Sequence, residues 1–342
     1  LPHFFACSIA LLAVIAFSGA THDIATDGVY MTELSKSDQA KYIGWQGAFY
    51  NIAKIVASGG LVYLAGWLVK RFGGVEGASG EVVYEANVHA WMIVMFVMAI
   101  VMISLGLYHT RMLPSGGAAT SEATSFKETF DKLVEVILDF FKKKHIWYYI
   151  AFIILYRFAE GFVMKIVPLF LKAGREIGGL GLSEQEIGIY YGTYGAAAFV
   201  LGSLLAGYYI SHRGLKKTLF SLCCTFNLPF IAYTLLAIYQ PTSGMLIGGA
   251  IVLEYFGYGF GFVGLTLFMM QQVAPGRHQM AHYAFASGIM NLSVMLTGAV
   301  SGYLSDALGY GMFFLAVMLA TVPAFLVTWF VPFTYDDKPN DK

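Results

Sequence analysis

Charged side chains inside long apolar stretches are the residues of this chain that could do chemistry. They are Asp23, Asp27, Lys54, Arg157, Glu160, Lys165 and Glu254, and each has mostly apolar neighbours. In a lipid bilayer, a charge is costly unless it faces an opposite charge or a water-filled cavity. We therefore take these residues as candidates for a site that moves protons, ions or small molecules.

The first candidate cluster lies near the end of the first apolar stretch. Asp23 and Asp27 are four residues apart, so they share one face of a helix. Two neighbouring carboxyl groups resist being ionised together, and one of them can then load and release a proton near neutral pH. We predict that Asp23 and Asp27 form a proton-coupling site and that His22 joins the relay. The alternative is a pair at the cytoplasmic interface that caps the helix or pairs with Lys54.

The second candidate cluster runs from Tyr156 to Lys165. Arg157 and Glu160 are three residues apart on a helix and can neutralise each other, and Lys165 follows beyond them. We predict that Tyr156, Arg157, Glu160 and Lys165 line a substrate path whose cations hold an anionic substrate. The alternative is a purely structural network of ion pairs between helices. Lys54 either faces the same path or extends toward the membrane surface.

Two further segments carry polar side chains. The run rich in glycine and aromatic residues that begins at Glu254 lets helices approach closely, and its rings offer flat faces. We predict that Glu254 and Tyr258 belong to the substrate path, with packing of the rings between helices as the alternative. Arg213, Lys216 and Lys217 occupy a short basic turn, which we predict to be a cytoplasmic gating loop. The alternative is the ordinary positive charge of cytoplasmic loops.

The elements that position these residues are predicted to be membrane-spanning helices. Of the 342 residues, 58% are hydrophobic and 12% are charged, against about 25% charged in soluble domains. Lys plus Arg and Asp plus Glu balance at 21 each, so no net charge recruits nucleic acid. Because about 20 apolar residues span a bilayer, we predict an all-α polytopic membrane protein. Its nine spans lie at 3–27, 42–69, 88–109, 147–171, 187–210, 217–239, 244–272, 281–305 and 310–331.

A polar connection near the middle of the chain separates three of these spans from six. Lys and Arg are concentrated in loops on the side of the C-terminus, which predicts a cytoplasmic C-terminus. With nine spans and a cytoplasmic C-terminus, Leu1 would lie outside the cytoplasm. Polytopic transporters usually begin inside, so we expect an odd number of further helices before Leu1. Within the connection, Ser125 precedes an apolar helical face that ends before the lysines at 142–144. This pattern predicts an amphipathic helix on the cytoplasmic leaflet, with packing against the protein as the alternative.

Enzymatic chemistry is not predicted. We identify no nucleophile elbow, nucleotide-binding loop or metal-ligand pair, so we expect no catalytic residue, no metal and no cofactor. Cys7, Cys223 and Cys224 lie in apolar stretches and are interpreted as reduced packing residues. Without a nucleotide site, an ion gradient is the expected energy source.

Several segments resemble the AmpG-like permeases of the major facilitator superfamily. Residues 20–28 (Ala-Thr-His-Asp-Ile-Ala-Thr-Asp-Gly) are similar to the helix 4 motif of that family, with His22 in place of the usual Gln. Residues 156–162 resemble its helix 7 segment, with Glu160 at the acidic position. Residues 181–188 (Gly-Leu-Ser-Glu-Gln-Glu-Ile-Gly) match its entry into helix 8.

The resemblance implies a fold of two six-helix halves, with nine of twelve helices in this chain. It divides the chain into a remnant of the N-terminal bundle (1–109), a linker (110–145), the C-terminal bundle (146–335) and a cytoplasmic tail (336–342). The implied function is proton-coupled import of anhydro-muropeptides by alternating access, for cell-wall recycling. The implied partners are the lipid bilayer of the bacterial inner membrane, protons and a muropeptide substrate, and we expect a monomer. Alternatives are transport of a sugar, a peptide or an acetyl-CoA-like ester, and a polytopic membrane protein that does not transport.

Overall fold

The chain folds into helices joined by short turns. The computed structural model describes residues 3–75, 77–114 and 125–335, and these residues contain no β-strand. The predicted tail at 336–342 and part of the predicted linker, 115–124, lie outside the described residues. The helices in chain order are α1 (Phe4–Glu33), α2 (Lys36–Ile55), α3 (Val62–Arg71), α4 (Gly80–Met112), α5 (Phe126–Phe141), α6 (Ile146–Tyr156), α7 (Phe158–Lys172), α8 (Glu184–Ile187), α9 (Gly195–Arg213), α10 (Leu215–Asn227), α11 (Phe230–Tyr239), α12 (Gly244–Phe268), α13 (Gln279–Ala320) and α14 (Val322–Trp329). The all-α prediction is confirmed.

Several predicted spans are helices interrupted by a local change of geometry. Arg157 leaves helical geometry between α6 and α7, inside the predicted span 147–171. Gly309 adopts a φ of 69° inside α13, between the predicted spans 281–305 and 310–331. A left-handed φ of this kind is open to glycine at little cost, so glycine permits the change of direction there. Short π-helical turns extend other helices, at Val56–Leu61, Gly188–Tyr194 and Met269–Val273.

Six helical segments among the described residues are long and apolar enough to cross a membrane. They are Phe4–Glu33, Gly80–Met112, Gln185–Arg213, Leu215–Tyr239, Gly244–Val273 and Gln279–Trp329. The last segment is 51 residues long and contains two of the predicted spans, divided at Gly309. The predicted spans 42–69 and 147–171 are helical but interrupted, and they are not among the six.

Capping residues fix where two of the helices begin. Ser183 and Glu186 form a capping box: the Glu186 amide donates to Ser183 Oγ at 3.3 Å, and the Ser183 amide donates to Glu186 Oε2 at 2.9 Å. At the start of α5, the Glu128 amide donates to Ser125 Oγ at 3.3 Å. In both places the serine oxygen satisfies an amide that has no partner inside the helix.

The chain divides into two compact units. One consists of Phe49–Ser121, and the other of Leu1–Ala48 with Glu122–Lys342. In the first, α3 and α4 pack on each other through a small core of Ala65, Leu68, Ala90 and Val94. The second holds most of the buried apolar side chains and all of the candidate residues except Lys54.

Small residues bring the helices of the larger unit close together. A Cβ at Gly161 on α7 would collide with the Thr297 side chain on α13. A Cβ at Gly44 on α2 would collide with the backbone of Ser203 on α9, and Ser203 Oγ donates to the Gly44 carbonyl at 3.2 Å. Contacts of this type are the usual means by which helices associate in a membrane, where apolar surface alone gives no preference for protein over lipid.

The amphipathic helix predicted in the connection is present as α5. Phe140 is buried against α13, whereas the predicted apolar face is largely exposed. Phe130, Leu133 and Leu138 are about half-exposed. The chain turns from α5 into α6 within a few residues, so α5 directly precedes the predicted span 147–171.

Candidate functional site

A buried ion pair lies at the break between α6 and α7. Arg157 and Glu160 are 5% and 2% exposed. The guanidinium donates two hydrogen bonds to the carboxylate, from Nε to Oε2 and from Nη2 to Oε1, the latter at 2.6 Å. The predicted pairing is therefore present, in the bidentate geometry that suits arginine and a carboxylate.

The break itself is stabilised by a neighbouring helix. Because α6 ends at Tyr156, the carbonyl of Ile154 loses its helical partner, and Ser293 Oγ on α13 donates to it at 2.9 Å. The Gly161 amide donates to the Arg157 carbonyl at 3.2 Å, which starts α7. A helix can be interrupted at membrane depth only where such partners exist. Here α13 supplies the partner and, by packing against Gly161, holds α7 in place.

One stripe of α12 faces this ion pair. Glu254, Tyr258 and Phe262 follow one another at intervals of four residues, so they share one face of the helix. The Arg157 guanidinium lies over the Phe262 ring, 5.1 Å from its centre. The Tyr258 ring packs edge-on against Phe262, with ring centres 5.9 Å apart. The start of α7 is thus joined to α12 by Arg157, Glu160, Tyr258 and Phe262.

Glu254 extends this polar network toward α11. Its carboxyl is 6% exposed and accepts a hydrogen bond from the Tyr233 hydroxyl at 2.9 Å. The sequence singled out Glu254 but not Tyr233, because the two residues lie on different helices and no spacing rule relates them. A buried carboxyl that accepts one hydrogen bond from the described residues is chemically able to exchange a proton or to bind a further polar group.

The other residues predicted for the substrate path lie in different surroundings. Lys165 is exposed, and its stem packs over Gly298 of α13. Among the described residues, no ion pair involves Lys165, so it does not join Arg157 and Glu160. Tyr156 is fully buried, and its hydroxyl donates to the Gly261 carbonyl at 2.8 Å, which places it in the packing between α6 and α12.

The two aspartates of α1 differ sharply. Asp27 is 7% exposed and accepts a hydrogen bond from Gln46 Nε2 of α2 at 2.8 Å. Asp23 and His22, one turn earlier, are exposed. Next to Asp27, Gly28 packs so closely on Met280 of α13 that a Cβ would collide with the sulfur. The predicted proton-coupling pair thus consists of one buried carboxyl near α2 and α13 and one exposed carboxyl.

The remaining predicted residues lie at exposed positions. Lys54 is exposed on α2, within the smaller unit. Arg213, Lys216 and Lys217 flank the turn between α9 and α10, and all are exposed. Arg213 lies over the Tyr209 ring at 5.6 Å. The charges of the basic turn are therefore exposed. This is compatible with a gating loop and equally with the ordinary positive charge of a cytoplasmic loop.

The structure also brings together polar residues that the sequence analysis did not single out. Lys143, after α5, donates from Nζ to the carbonyls of Val273, Ala274 and Pro275 at 2.6, 2.9 and 2.8 Å. Burial lowers the pKa of this amine to about 8. This contact ties the linker to the end of the π-helical turn Met269–Val273, which extends α12, and its partner carbonyls are over a hundred residues away in sequence.

The prediction of no metal-ligand pair overlooked two histidines. His278 and His282 are four residues apart at the start of α13, a spacing visible in the sequence. His278 Nε2 lies 3.5 Å from Asp139 Oδ2 of α5. Paired histidines at this interval can share a ligand on one helical face.

Comparisons with known proteins identify relatives of the chain. A model of the Major Facilitator Superfamily matches residues 2–275 and again 178–342. The chain is 23% identical over 319 residues to the protein named "Anhydromuropeptide permease" of Escherichia coli strain K12, which covers 93% of this chain and 58% of that protein. It is 24% identical over 219 residues to the "Putative transporter AmpG 2" of Rickettsia typhi, which covers 60% of this chain and 48% of that protein.

The chain thus spans about half the length of these two curated relatives. The family description and the names of the relatives agree with the resemblance to AmpG-like permeases of the major facilitator superfamily that the sequence carries. The identity is low, so individual residues are interpreted from the structure and not from the relatives.

Proposed function

Since the chain belongs to the major facilitator superfamily, we propose that it is part of a secondary active transporter that moves a small molecule across a membrane by alternating access. The observation that carries this proposal is the buried Arg157–Glu160 pair at a helix break, which lies against Phe262 on the face of α12 that also carries Glu254 and Tyr258. Buried charges inside apolar helices are costly, and in transporters they mark substrate and proton pathways.

We further propose an anhydro-muropeptide as the substrate. Such a molecule combines sugar rings with peptide carboxylates, and the chain offers aromatic faces at Tyr258 and Phe262 beside the guanidinium of Arg157. The AmpG-like relatives support this substrate, since one is named for it. A sugar, a peptide and an acetyl-CoA-like ester remain the rival substrates.

Proton coupling is proposed to involve Asp27. This carboxyl is buried at the contact between α1, α2 and α13 and accepts a hydrogen bond from Gln46. A protonated Asp27 would lose its charge without losing that partner, so loading and unloading can be linked to a change in the packing of these helices. The exposed residues Asp23 and His22 are proposed to connect it to water.

We also propose how the chain corresponds to the whole fold. Its nine predicted spans would be the last nine of twelve helices, with 1–109 in the first bundle and 146–335 in the second. The C-terminus would be cytoplasmic, in the inner membrane of a bacterium, and the transporter would be a monomer. The distribution of Lys and Arg among the loops supports this orientation.

Uptake by the protein expressed from its full reading frame tests the proposal. Purified protein in proteoliposomes is given labelled GlcNAc-anhydro-MurNAc-peptide, with and without an inward proton gradient. We expect accumulation that depends on the gradient and that excess unlabelled muropeptide suppresses, whereas unlabelled sugar or dipeptide does not.

Each outcome has a definite meaning. Accumulation without a gradient would contradict proton coupling. Suppression by a sugar, a peptide or an ester would transfer the assignment to that solute. If vesicles that hold folded protein bind but never accumulate any of these solutes, the transport proposal itself is contradicted.

A further inference from the structure

Two pairs of potential metal ligands face each other where α5 meets α13. Glu135 and Asp139 are four residues apart on α5, and His278 and His282 are four apart at the start of α13. Residues at this interval lie on one face, one turn from each other. Because the two helices are in contact, both pairs converge on the same side of the larger unit.

The ligand atoms of three of these residues are already close together. One ligand atom each of Glu135, Asp139 and His278 lies within 4.8 Å of the others. Ligands around a tetrahedral zinc ion lie about 3.4 Å apart when the bonds are about 2.1 Å long. Small rotations of exposed and half-exposed side chains would therefore be enough to complete such a geometry.

The fourth residue, His282, has an unused nitrogen atom. Its side chain is 2% exposed, and its Nε2 lies 3.2 Å from the Val136 carbonyl of α5. A carbonyl only accepts, so Nε2 carries the proton and Nδ1 presents a lone pair, which has no partner among the described residues. Metal-binding histidines typically donate their other N–H to a backbone carbonyl in this way. His278 and His282 lie side by side, with ring centres 5.8 Å apart, and both line the cleft that contains Asp139.

We propose that Glu135, Asp139, His278 and His282 bind one divalent transition-metal cation of the Zn²⁺ type. Two imidazole nitrogens and two carboxylates are the donor set that such ions prefer, whereas Mg²⁺ and Ca²⁺ prefer oxygen ligands alone. The ion joins α5 to α13 and thereby fixes the linker against the C-terminal helices. This site is independent of the proposed transport path.

The cations near the site shape its affinity. Arg277 Nη1 lies 3.0 Å from Glu135 Oε1, in a pair that is mostly exposed and therefore weak. Arg277 thus competes with the metal for one ligand. Lys143 also lines the cleft, but its ammonium is directed at three backbone carbonyls. Removing Arg277 should free Glu135 and strengthen metal binding.

Titration calorimetry on the purified protein in detergent, after treatment with a chelator, tests the proposal with Zn²⁺ as the probe. We expect one saturable site per chain, weaker binding of Mg²⁺ and Ca²⁺, and a higher melting temperature when Zn²⁺ is present. His282→Gln and Asp139→Asn should each reduce the affinity at least about tenfold, since even indirect partners of a metal site are worth that much. His212→Gln, at an exposed position on α9, is the matched control and should bind as the parent does.

Arg277→Gln should change the affinity for Zn²⁺ in the opposite direction from the ligand variants. It keeps all four ligands and should bind Zn²⁺ severalfold more tightly, so it reports on the site even if a ligand variant fails to fold. Co²⁺ provides a second measurement, because it absorbs visible light when bound by nitrogen and oxygen ligands. This absorption should disappear in His282→Gln. The proposal is overturned if Zn²⁺ binding is not saturable, if it is unchanged in His282→Gln, or if Arg277→Gln weakens it.

Discussion

Replacing Glu160 by glutamine should destabilise the protein strongly, because the change leaves the guanidinium of Arg157 buried without a counter-charge. Two charge-assisted hydrogen bonds join these side chains, at roughly 1.5–3 kcal/mol each. Their sum, about 3–6 kcal/mol, agrees with the roughly 3–5 kcal/mol that breaking a buried pair costs. We expect the cost of Glu160→Gln to lie in this range.

The reverse change, Arg157→Met, should cost less. A lone carboxyl group can be neutralised by a proton, whereas a guanidinium stays charged. Methionine also keeps much of the apolar stem that packs near Phe262. The double variant Arg157→Met/Glu160→Gln removes both charges of the buried pair. Removal of a whole buried pair is often nearly neutral, so the double variant should be more stable than either single one.

Thermal unfolding in detergent, followed by tryptophan fluorescence, measures this series. The coupling between the two sites should reach at least about 2 kcal/mol, toward the upper end of values for residues in contact. Arg277→Gln is the control, because it breaks an exposed pair with Glu135 and should change stability by less than about 0.5 kcal/mol. Additive costs of the two single changes, or a Glu160→Gln variant as stable as the parent, would refute the reasoning.

The same double variant separates the two roles considered for the pair. If Arg157 and Glu160 only join helices, a stable double variant should transport normally. If they bind the substrate, it should fold and yet lose uptake. Measuring unfolding and uptake on the same stable double variant thus distinguishes a structural role of the pair from substrate binding.

Three further predictions concern other parts of the larger unit. Gly161→Ala should lower stability by about 1–3 kcal/mol through overpacking against α13, whereas Gly288→Ala, with open space at its Cβ, should be neutral or stabilising by up to about 1 kcal/mol in the same unfolding measurement. Lys143→Met should detach the linker from the end of the π-helical turn Met269–Val273 and increase amide hydrogen exchange there. Burial lowers the pKa of Lys143 from 10.5 to about 8, so between these pH values the unfolded chain holds a proton that the folded protein has released. The free energy of unfolding should therefore rise with pH over this range in the parent, and this rise should be missing in Lys143→Met. Asp27→Asn should abolish uptake driven by a proton gradient while Asp23→Asn, at an exposed position, retains much of it; normal gradient-driven uptake by the first would contradict the proposed coupling.

The helices were predictable from the sequence because apolar length and capping residues act locally. The apolar run that forms α12 needed no tertiary information, and Ser183 with Glu186 marked the start of α8 by their spacing alone. The interruption at Arg157 was not predicted. It depends on Ser293, more than a hundred residues away, which satisfies a carbonyl that the interruption frees.

The candidate site was predictable only in part, for a similar reason. Arg157 and Glu160 are neighbours on one helical face, so their spacing indicated the pair. The partners of Asp27 and Glu254 are Gln46 and Tyr233, which reach them only when separate helices pack. Spacing also treated Asp23 and Asp27 alike, although only the second lies where α1 meets its neighbours.

One omission had a local signal that was available. His278 and His282 stand four residues apart at a helix start, and the same spacing relates Glu135 and Asp139. Each pair alone is common on solvated helices. What the sequence does not contain is the contact of α5 with α13, which turns two ordinary pairs into one cluster.

The break at Arg157 and the buried ion pair are best understood together. An uninterrupted apolar helix between 146 and 172 would satisfy every backbone group internally and bury no charge, so it would be the more stable choice in a membrane. This chain instead interrupts the helix, satisfies the freed carbonyl with Ser293 and buries a bidentate pair at the interruption. Stability alone does not account for that combination. The proposed alternating access gives a reason for it, because a helix beside the proposed substrate path needs an interruption at which it can bend and charges that can bind a polar solute.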